Sequence, residues 1–471
     1  MKLLRGTRAP LGRRRGTGRG RGMRPRLKYK EGYNMSIHVI EEANRCLQCK
    51  VPRCRQGCPI QTNIPEMIRL LKNNQILEAA YMLFENNPMS VVCSQVCNHE
   101  KQCEGHCVRG IKGSPVHISA IEHYISDSCF NRIKIEQQPY NGMKAAVIGA
   151  GPAGITIAII LASRGYKVTI FEVREKIGGI LRYGIPEFRL SNEVIDRYED
   201  KLLELGVYFR PNFAIGQSTS IQDLFNDGYR AVFVGTGAWR PKRMMIPGET
   251  FGFVHYAINY LNSPGSVHIG KRVAIIGAGN SAMDVARTVV REGATEVNVY
   301  VRGTTIAAST EEYEYAKLDG AQFMFNKGVV RIVDEGIVTI DVEEHEDGSV
   351  TEIPGTEQTV PADTVIIAIS QIPQKQLTDQ DRGLQMNARG TLQVNEEGQT
   401  TRPGVFASGD VVTGAKTVVH AVAESKKIAN DMDQYMKAQR AMELQASSGK
   451  EEGAAPTAGA SETACETSGE A

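Results

Sequence analysis

An α/β fold with two parallel-sheet units behind a cysteine-rich helical region follows from three features of this 471-residue chain. A strand–glycine turn–helix–strand unit opens at Ala145, and a second opens at Arg272. Eight of the ten cysteines lie between Cys46 and Cys107. Glycine turns of this kind sit on parallel sheets covered by helices on both faces. Cysteines this dense, in a chain without a secretory signal, read as metal or redox chemistry rather than a disulfide frame.

The chain is 41% hydrophobic and 23% charged, which is the composition of a globular protein of several domains. No apolar run is long enough to span a membrane, and residues 1–34 lack the apolar core of a secretory signal, so a cytoplasmic protein is expected. The net charge of +2 hides an asymmetry: residues 1–34 carry twelve Lys and Arg against one acid, Glu31. Such an arm cannot bury a core and is expected to be disordered. Lys30-Glu31-Gly32 can be encoded by a purine run like a ribosome-binding site just before Met35. Translation is therefore expected to start at Met35; a native N-terminal peptide from upstream of Met35 would refute this.

The cysteines form two groups, Cys46-x2-Cys49-x4-Cys54-x3-Cys58-Pro59 and Cys93-x3-Cys97-x5-Cys103-x3-Cys107. Thiolates suit zinc or iron–sulfur clusters. A Cys-Pro closing a tight cysteine run points to [4Fe–4S] sites, and a zinc ribbon would favour two matched C-x2-C pairs, of which this region has one. Between the groups, apolar residues at Ile64, Met67, Ile68, Leu71 and at Ile76, Ala79, Ala80, Leu83 repeat at helical spacing. A small helical domain around two clusters is predicted. His99, His106, His117 and His123 are read as surface or supporting residues, and Cys129 and Cys465 as isolated thiols.

The first glycine unit is complete. Strand Ala145–Ile148 leads into Gly149-Ala150-Gly151-Pro152-Ala153-Gly154, a helix runs to about Ser163, and strand Lys167–Phe171 ends on Glu172. The first glycine makes the turn, the second lets the backbone approach a pyrophosphate, and the third lets helix and strand pack closely. The helix N-terminus offers free N–H groups to phosphates, and Glu172 can accept from a ribose hydroxyl. The following run, Gly178-Gly179-Ile180-Leu181-Arg182-Tyr183-Gly184-Ile185-Pro186-Glu187-Phe188-Arg189-Leu190, is too glycine-rich for a helix and too apolar for a solvated loop. It could wrap a flat apolar ring.

That run closely resembles the GG-x-L-x-YGIP-x-FRL segment of one flavoprotein family: the small subunit of glutamate synthase, the electron-input half of dihydropyrimidine dehydrogenase and the large subunit of ferredoxin-dependent transhydrogenase. The resemblance extends over about residues 41–436. It implies FAD under this segment, with Gly179, Leu181 and Arg189 among the binding residues. It also implies a ligand set of Cys46, Cys49, Cys54 and Cys107 for one [4Fe–4S] cluster, and of Cys58, Cys97, Cys103 and a side-chain oxygen for the other. The family's helix pattern falls on Pro115–Glu122, making Glu122 the fourth ligand and Cys93 a buried free thiol. Asn98 stands where relatives often have proline.

A helix over Asn192–Leu205 leads to Val232-Phe233-Val234-Gly235-Thr236-Gly237-Ala238, where two-domain flavoproteins pass into an inserted domain. The insert carries strand Arg272–Ile276 and the turn Gly277-Ala278-Gly279-Asn280-Ser281-Ala282, followed by Asp284. Its second strand, Glu296–Val301, ends at Arg302, and an arginine there suits a 2′-phosphate. Relatives selective for NADPH usually have two basic residues in this place, whereas Gly303 follows Arg302 here. A weak NADPH preference over NADH is expected, with Arg287 or Arg291 available to compensate. The insert closes at Thr364–Ser370, where relatives usually end on glycine. Gly409-Asp410 then returns to the flavin, and Thr417 and Val418 open a helix facing its ring. The predicted division is an arm (1–34), the helical cluster domain (35–140), the FAD domain (141–250 and 369–437), the NAD(P) domain inserted into it (251–368) and a disordered acidic tail (438–471).

A nicotinamide gives up a hydride and a cluster takes one electron, so FAD would stand between them as converter. The favoured reading is an electron-input subunit oxidising NAD(P)H and serving a separate acceptor, the large glutamate synthase subunit, with the second cysteine set expected at the docking surface. The alternatives are an electron-bifurcating transhydrogenase subunit or a dihydropyrimidine dehydrogenase input subunit. From a different class comes a zinc-containing flavoprotein binding nucleic acid through the basic arm. A redox dithiol is excluded, because no cysteine lies between Cys129 and Cys465.

Overall fold

The computed structural model describes residues 31–451 except Ser218. The arm up to residue 30, the tail from residue 452 and Cys465 lie outside the described residues. Three parts follow one another: a helical region, a first parallel sheet and a second parallel sheet inserted into the first.

The helical region contains Glu31–Asn44, Ile64–Lys72, Ile76–Asn86, Ser90–Val96 and Ile118–Cys129. The first of these helices begins within the segment that composition assigns to the arm and runs across Met35. Ile64–Lys72 and Ile76–Asn86 match the periodic stretches, and Ile64, Met67, Ile68 and Leu71 are all buried. Full burial of each such side chain contributes roughly 1.5–3 kcal/mol. Their apolar core continues without a break into the first sheet's helix Pro152–Ser163. Phe130 stacks edge-on against Tyr198 at 4.7 Å across that junction.

The first sheet has the order Val405–Ala407, Tyr229–Val234, Lys144–Ile148, Lys167–Phe171, Tyr208–Arg210, all parallel. The chain therefore leaves this sheet after Val234 and returns at Val405. Helix Pro152–Ser163 is apolar all round because it is covered on both sides, by the sheet and by helix Val418–Glu451. The latter helix continues well past Lys437, where a disordered tail was expected. Its residues beyond that point have no apolar period, but Ala, Gln, Glu, Arg, Met and Leu fill residues 438–446, and these favour helix without burial. Arg440 bonds the Asn141 carbonyl and Glu443 pairs with Arg230, which tie this extension down. Helix Asn192–Glu204 forms as expected.

The second sheet has the order Val254–Tyr256, Thr364–Ile367, Arg272–Ile276, Glu296–Val301, Gln322–Phe325, again all parallel. An antiparallel sheet built on Lys327–Val333 and Gly336–Glu344 leans on it. The two crossings between the sheets pair with each other as short antiparallel strands, Arg240–Pro241 with Gln371–Ile372. Glu100 of the helical region accepts from Thr310 N at 2.7 Å and so touches the inserted part as well. Among the described residues, no helix is long and apolar enough to cross a membrane.

Candidate functional site: a cavity between two glycine turns

Both glycine turns open into one cavity of about 840 Å³. From the first unit it is lined by Gly149, Gly151, Pro152, Ala153, Glu172, Gly179 and Arg189, and from the returning segment by Gly409, Asp410, Thr417 and Val418. The second unit contributes Gly279, Asn280, Ser281 and Asp284. Val96, the neighbour of Cys97, forms part of the wall.

The turns have the same construction. Gly149 has φ +99°, and a Cβ there would stand 2.6 Å from Gly235 O; Gly277 has φ +138°, and its Cβ would stand 2.4 Å from Ala368 O. Both positions require glycine. A Cβ on Gly151 or Gly279 would meet nothing within 4 Å, so each of these backbones faces open space at a helix N-terminus. That is the cradle a pyrophosphate needs. Gly154 serves packing: its Cβ would lie 2.0 Å from Gly149 O. Ala282, its counterpart, is fully buried, as is Leu181, which packs in the core away from the cavity. Between Gly179 and Gly184 the four residues Ile180–Tyr183 form a single helical turn inside the run read as non-helical. Gly178 (φ +119°) and Gly179 (φ +53°) supply the left-handed backbone before it.

Glu172 spans the first turn. It accepts from Ala150 N at 2.6 Å and from Arg174 N at 3.0 Å while facing the cavity. Burial raises its carboxyl, and these N–H donors oppose the rise. The register of the second sheet is different from what the sequence suggests. Phe171 pairs with Ile148 and Tyr300 with Ile276, so Val301, not Arg302, stands in the place of Glu172. Val301 is buried, and Arg302 is exposed one residue further on.

Arg189 and Asp284 meet each other. The Arg189 guanidinium donates to Asp284 at 2.9 Å, and its Nε stands 2.6 Å from Glu312 Oε1 at an angle too bent for a hydrogen bond. Arg287 pairs with Glu312 and Asp319, and Arg291 with Asp319. Both stack on Phe188. Arg287 and Arg291 are thereby each engaged with an acid of this network. This network joins the two units, and neither Glu312 nor Asp319 carries a sequence signal. Trp239 and Arg174, 4.3 Å apart by ring centroid, also line the cavity unannounced by any motif. Ser370, where glycine was expected, lines it with φ +87°.

The cysteines separate into two sets. Cys46, Cys49, Cys54 and Cys107 surround one small hollow with Ile68 and Val116. Burial pushes the Cys54 thiol up to about 11, with the neighbouring cysteines adding to the rise. In the second set, Cys58 and Cys97 both feel Glu122, and Cys103 feels Glu122 and Cys58. Burial pushes the Glu122 carboxyl up to about 8, Glu104 adding to it. Groups this reluctant to ionise in a closed space are ones a cation would hold as thiolate and carboxylate. Among the described residues, no three His, Cys, Asp or Glu converge closely enough to grip a single metal ion. Cys93 is buried beside Cys97, and Cys129 is buried alone in the core.

The second set was expected at the outer surface, and the structure reverses this. Cys103 and Glu122 are buried, and Cys97 adjoins Val96 on the cavity wall. The first set lies under exposed Leu47, Val51 and Ile111, each more than half exposed. The reversal arises because helix Ser90–Val96 runs from the helical core towards the first sheet and delivers Cys97 at its inner end.

Two nucleotide-binding sheets sharing one cavity, with Val96 of the cysteine-bearing helical region in its wall, define an NAD(P)H-dependent flavin oxidoreductase with an N-terminal iron–sulfur region. The family model for pyridine nucleotide-disulphide oxidoreductases matches residues 143–425, and that for dihydropyrimidine dehydrogenase domain II, 4Fe-4S cluster, matches residues 26–133. The chain is 33% identical over 426 residues to the glutamate synthase [NADPH] small chain of Halomonas elongata, covering 84% of this chain and 90% of that one. It is 32% identical to the Escherichia coli protein of the same name, with 84% and 91% covered. It is also 32% identical to the NADP(+)-dependent formate dehydrogenase subunit beta of Moorella thermoacetica, with 82% of this chain but 60% of that one covered. The chain belongs to the glutamate synthase small chain family. Over 64% of its length the fold is similar to that of FprA from Mycobacterium tuberculosis in complex with NADPH, at a TM-score of 0.55 and 19% identity, with 86% of that chain covered.

Proposed function

We propose that this chain is an electron-input subunit that oxidises NAD(P)H and delivers single electrons through two [4Fe–4S] clusters to a separate acceptor protein, the large subunit of glutamate synthase. The observation that carries this reading is the shared cavity: both glycine turns line it, and Val96 joins its wall to Cys97.

FAD, when bound, accepts a hydride and releases electrons singly. The first unit would hold it through Gly149, Gly151, Pro152, Ala153, Glu172, Gly179, Gly409, Asp410, Thr417 and Val418. The nicotinamide nucleotide would lie on Gly279, Asn280 and Ser281. Cys58, Cys97, Cys103 and Glu122 would ligate the inner cluster, and Cys46, Cys49, Cys54 and Cys107 the outer one. The acceptor would dock over the outer set, where Leu47, Val51 and Ile111 offer apolar contact and Lys50, Arg53, Arg55, Arg109 and Lys112 are exposed around them. A face of this kind suits an acidic partner surface.

The relative from M. thermoacetica, named as a formate dehydrogenase subunit, supports a second reading in which the acceptor is another oxidoreductase. The isolated protein should reduce artificial dyes with NAD(P)H and form no glutamate. Adding the large subunit should restore NAD(P)H-dependent glutamate formation from glutamine and 2-oxoglutarate. Glutamate formed by the pure chain, or failure to reduce any dye, would refute the input-subunit reading; activity with a different partner alone would favour the second. For the ligand set, Glu122→Ala should lower iron per protein and alter the EPR signal while FAD content stays. Unchanged iron and EPR would remove Glu122 from the ligands.

A further inference from the structure

The adenosine end of the second unit lies where strand Glu296–Val301 emits Arg302-Gly303-Thr304. In the first unit the acid for a ribose hydroxyl comes from the strand end itself, Glu172. In the second unit that register position is Val301, which is buried and cannot hydrogen-bond through its side chain. Just beyond it, at Gly303 and Thr304, an acid arrives from another strand. Glu344, the last residue of strand Gly336–Glu344, accepts from Thr304 N at 2.6 Å and from Thr304 Oγ1 at 2.7 Å through one oxygen. A Cβ built on Gly303 would stand 2.6 Å from that same oxygen. The Thr304 N–H and hydroxyl, two donors well suited to a phosphate, are already taken by a carboxylate. The space for a second basic side chain is filled by the same group.

We propose that Glu344 supplies from the neighbouring sheet the acid that the strand end lacks, and that it makes this site favour NADH over NADPH. This deepens the NAD(P)H-oxidoreductase reading and rests on it. A 2′-phosphate brought to Arg302 meets the Glu344 carboxylate next to it, and the unlike charge of Arg302 is offset. The two hydrogen bonds from Thr304 hold Glu344 below the ordinary carboxylate range, so it stays charged at neutral pH. A ribose bearing a free 2′-hydroxyl instead finds an acceptor. Arg287 is held between Glu312 and Asp319, and Arg291 pairs with Asp319, so both would have to leave an acid to reach the phosphate. The sequence alone points to a weak NADPH preference, because Glu344 lies more than forty residues beyond Arg302 and carries no motif.

The test is flavin reduction of the holoprotein by each nucleotide, beside calorimetric binding of 2′,5′-ADP and 5′-AMP. The wild type should have the higher kcat/KM with NADH. In Glu344→Gln the NADH-to-NADPH ratio should fall about tenfold or more, through a lower KM for NADPH, and 2′,5′-ADP should bind tighter by a similar factor relative to 5′-AMP. Glu343→Gln, one residue away on the opposite face of the strand, should leave both ratios unchanged. A tenfold NADPH preference in the wild type, or ratios within twofold in Glu344→Gln, would overturn the assignment. If neither nucleotide reduced the flavin, the oxidoreductase reading would fail, and the binding ratio would still decide the role of Glu344.

Discussion

The two nucleotide-binding units are built to one plan and differ at the points where each meets its ligand. Strand end Val234 corresponds to Ile367, and the turns Gly149 and Gly277 press on Gly235 and Ala368 respectively. Two residues further along stand Gly237, with φ +69°, and Ser370, with φ +87°. The third turn position is Gly154 in one unit and Ala282 in the other. At the end of the second strand the first unit has Glu172, whereas the second unit has Val301, with Glu344 from another sheet bonded to Thr304 three residues further on. The difference teaches that the turn fixes where a pyrophosphate can lie, while the ribose-facing groups are free to come from anywhere the fold can place a side chain.

The largest expected effect breaks the equivalence at the third turn position. Gly154→Ala would drive a Cβ to 2.0 Å from Gly149 O, and backbone cannot yield that far. FAD content in the purified protein should fall below a tenth of wild type. The mirror change, Ala282→Gly, should cost only about 1 kcal/mol through helix propensity and keep nucleotide oxidation. Equal damage from both would mean that the two turns are more alike than their contacts indicate.

Next in size is the link between the units. Arg189→Ala leaves Asp284 buried without its closest cation. Breaking one side of a buried pair costs about 3–5 kcal/mol. Denaturant unfolding should register a loss of that order, and a double-mutant cycle with Asp284→Asn should recover part of it. Additive losses would show that the pair does not couple the units.

Ser370 offers a gain. Its left-handed backbone costs a non-glycine residue roughly 1–2 kcal/mol. Ser370→Gly, which copies Gly237 of the first unit, should raise stability by about 1 kcal/mol, the net after glycine's own entropy cost. A drop in melting temperature would mean that the hydroxyl is needed on the cavity wall.

The smallest effect is a pH dependence at Asp410 of the first unit. Burial pushes the Asp410 carboxyl up to about 6, opposed by the bond from Lys416 N. If the ionised form accepts from FAD, affinity holds above pH 6 and weakens as pH falls through it. At pH 5.5 the FAD dissociation constant should be about fourfold that at pH 7.5, and Asp410→Asn should flatten the profile. The same titration has the opposite sign for folding of the apoprotein. Its proton is held more tightly folded than unfolded, so this group's contribution to stability declines from about pH 4 to pH 6.

Much of this protein could be read from its residues alone, and the reason is local. Gly149 and Gly277 demand a positive φ, the strands pair at the positions their apolar runs predict, and the helical periods at Ile64–Leu71 and Ile76–Leu83 need only their own spacing. The cysteine spacing gave two sequential groups and the family resemblance implied the crossed sets; the structure brings Cys46, Cys49, Cys54 and Cys107 around one hollow and Cys58, Cys97 and Cys103 near Glu122. Only the tertiary structure decided which set faces the cavity, that Arg189 reaches Asp284 across the units, that Val301 rather than Arg302 is in register with Glu172, and that Glu344 lies against Gly303. These depend on how separate sheets pack side by side. Residues tens or hundreds of positions apart become neighbours through that packing, and neither periodicity nor spacing records it.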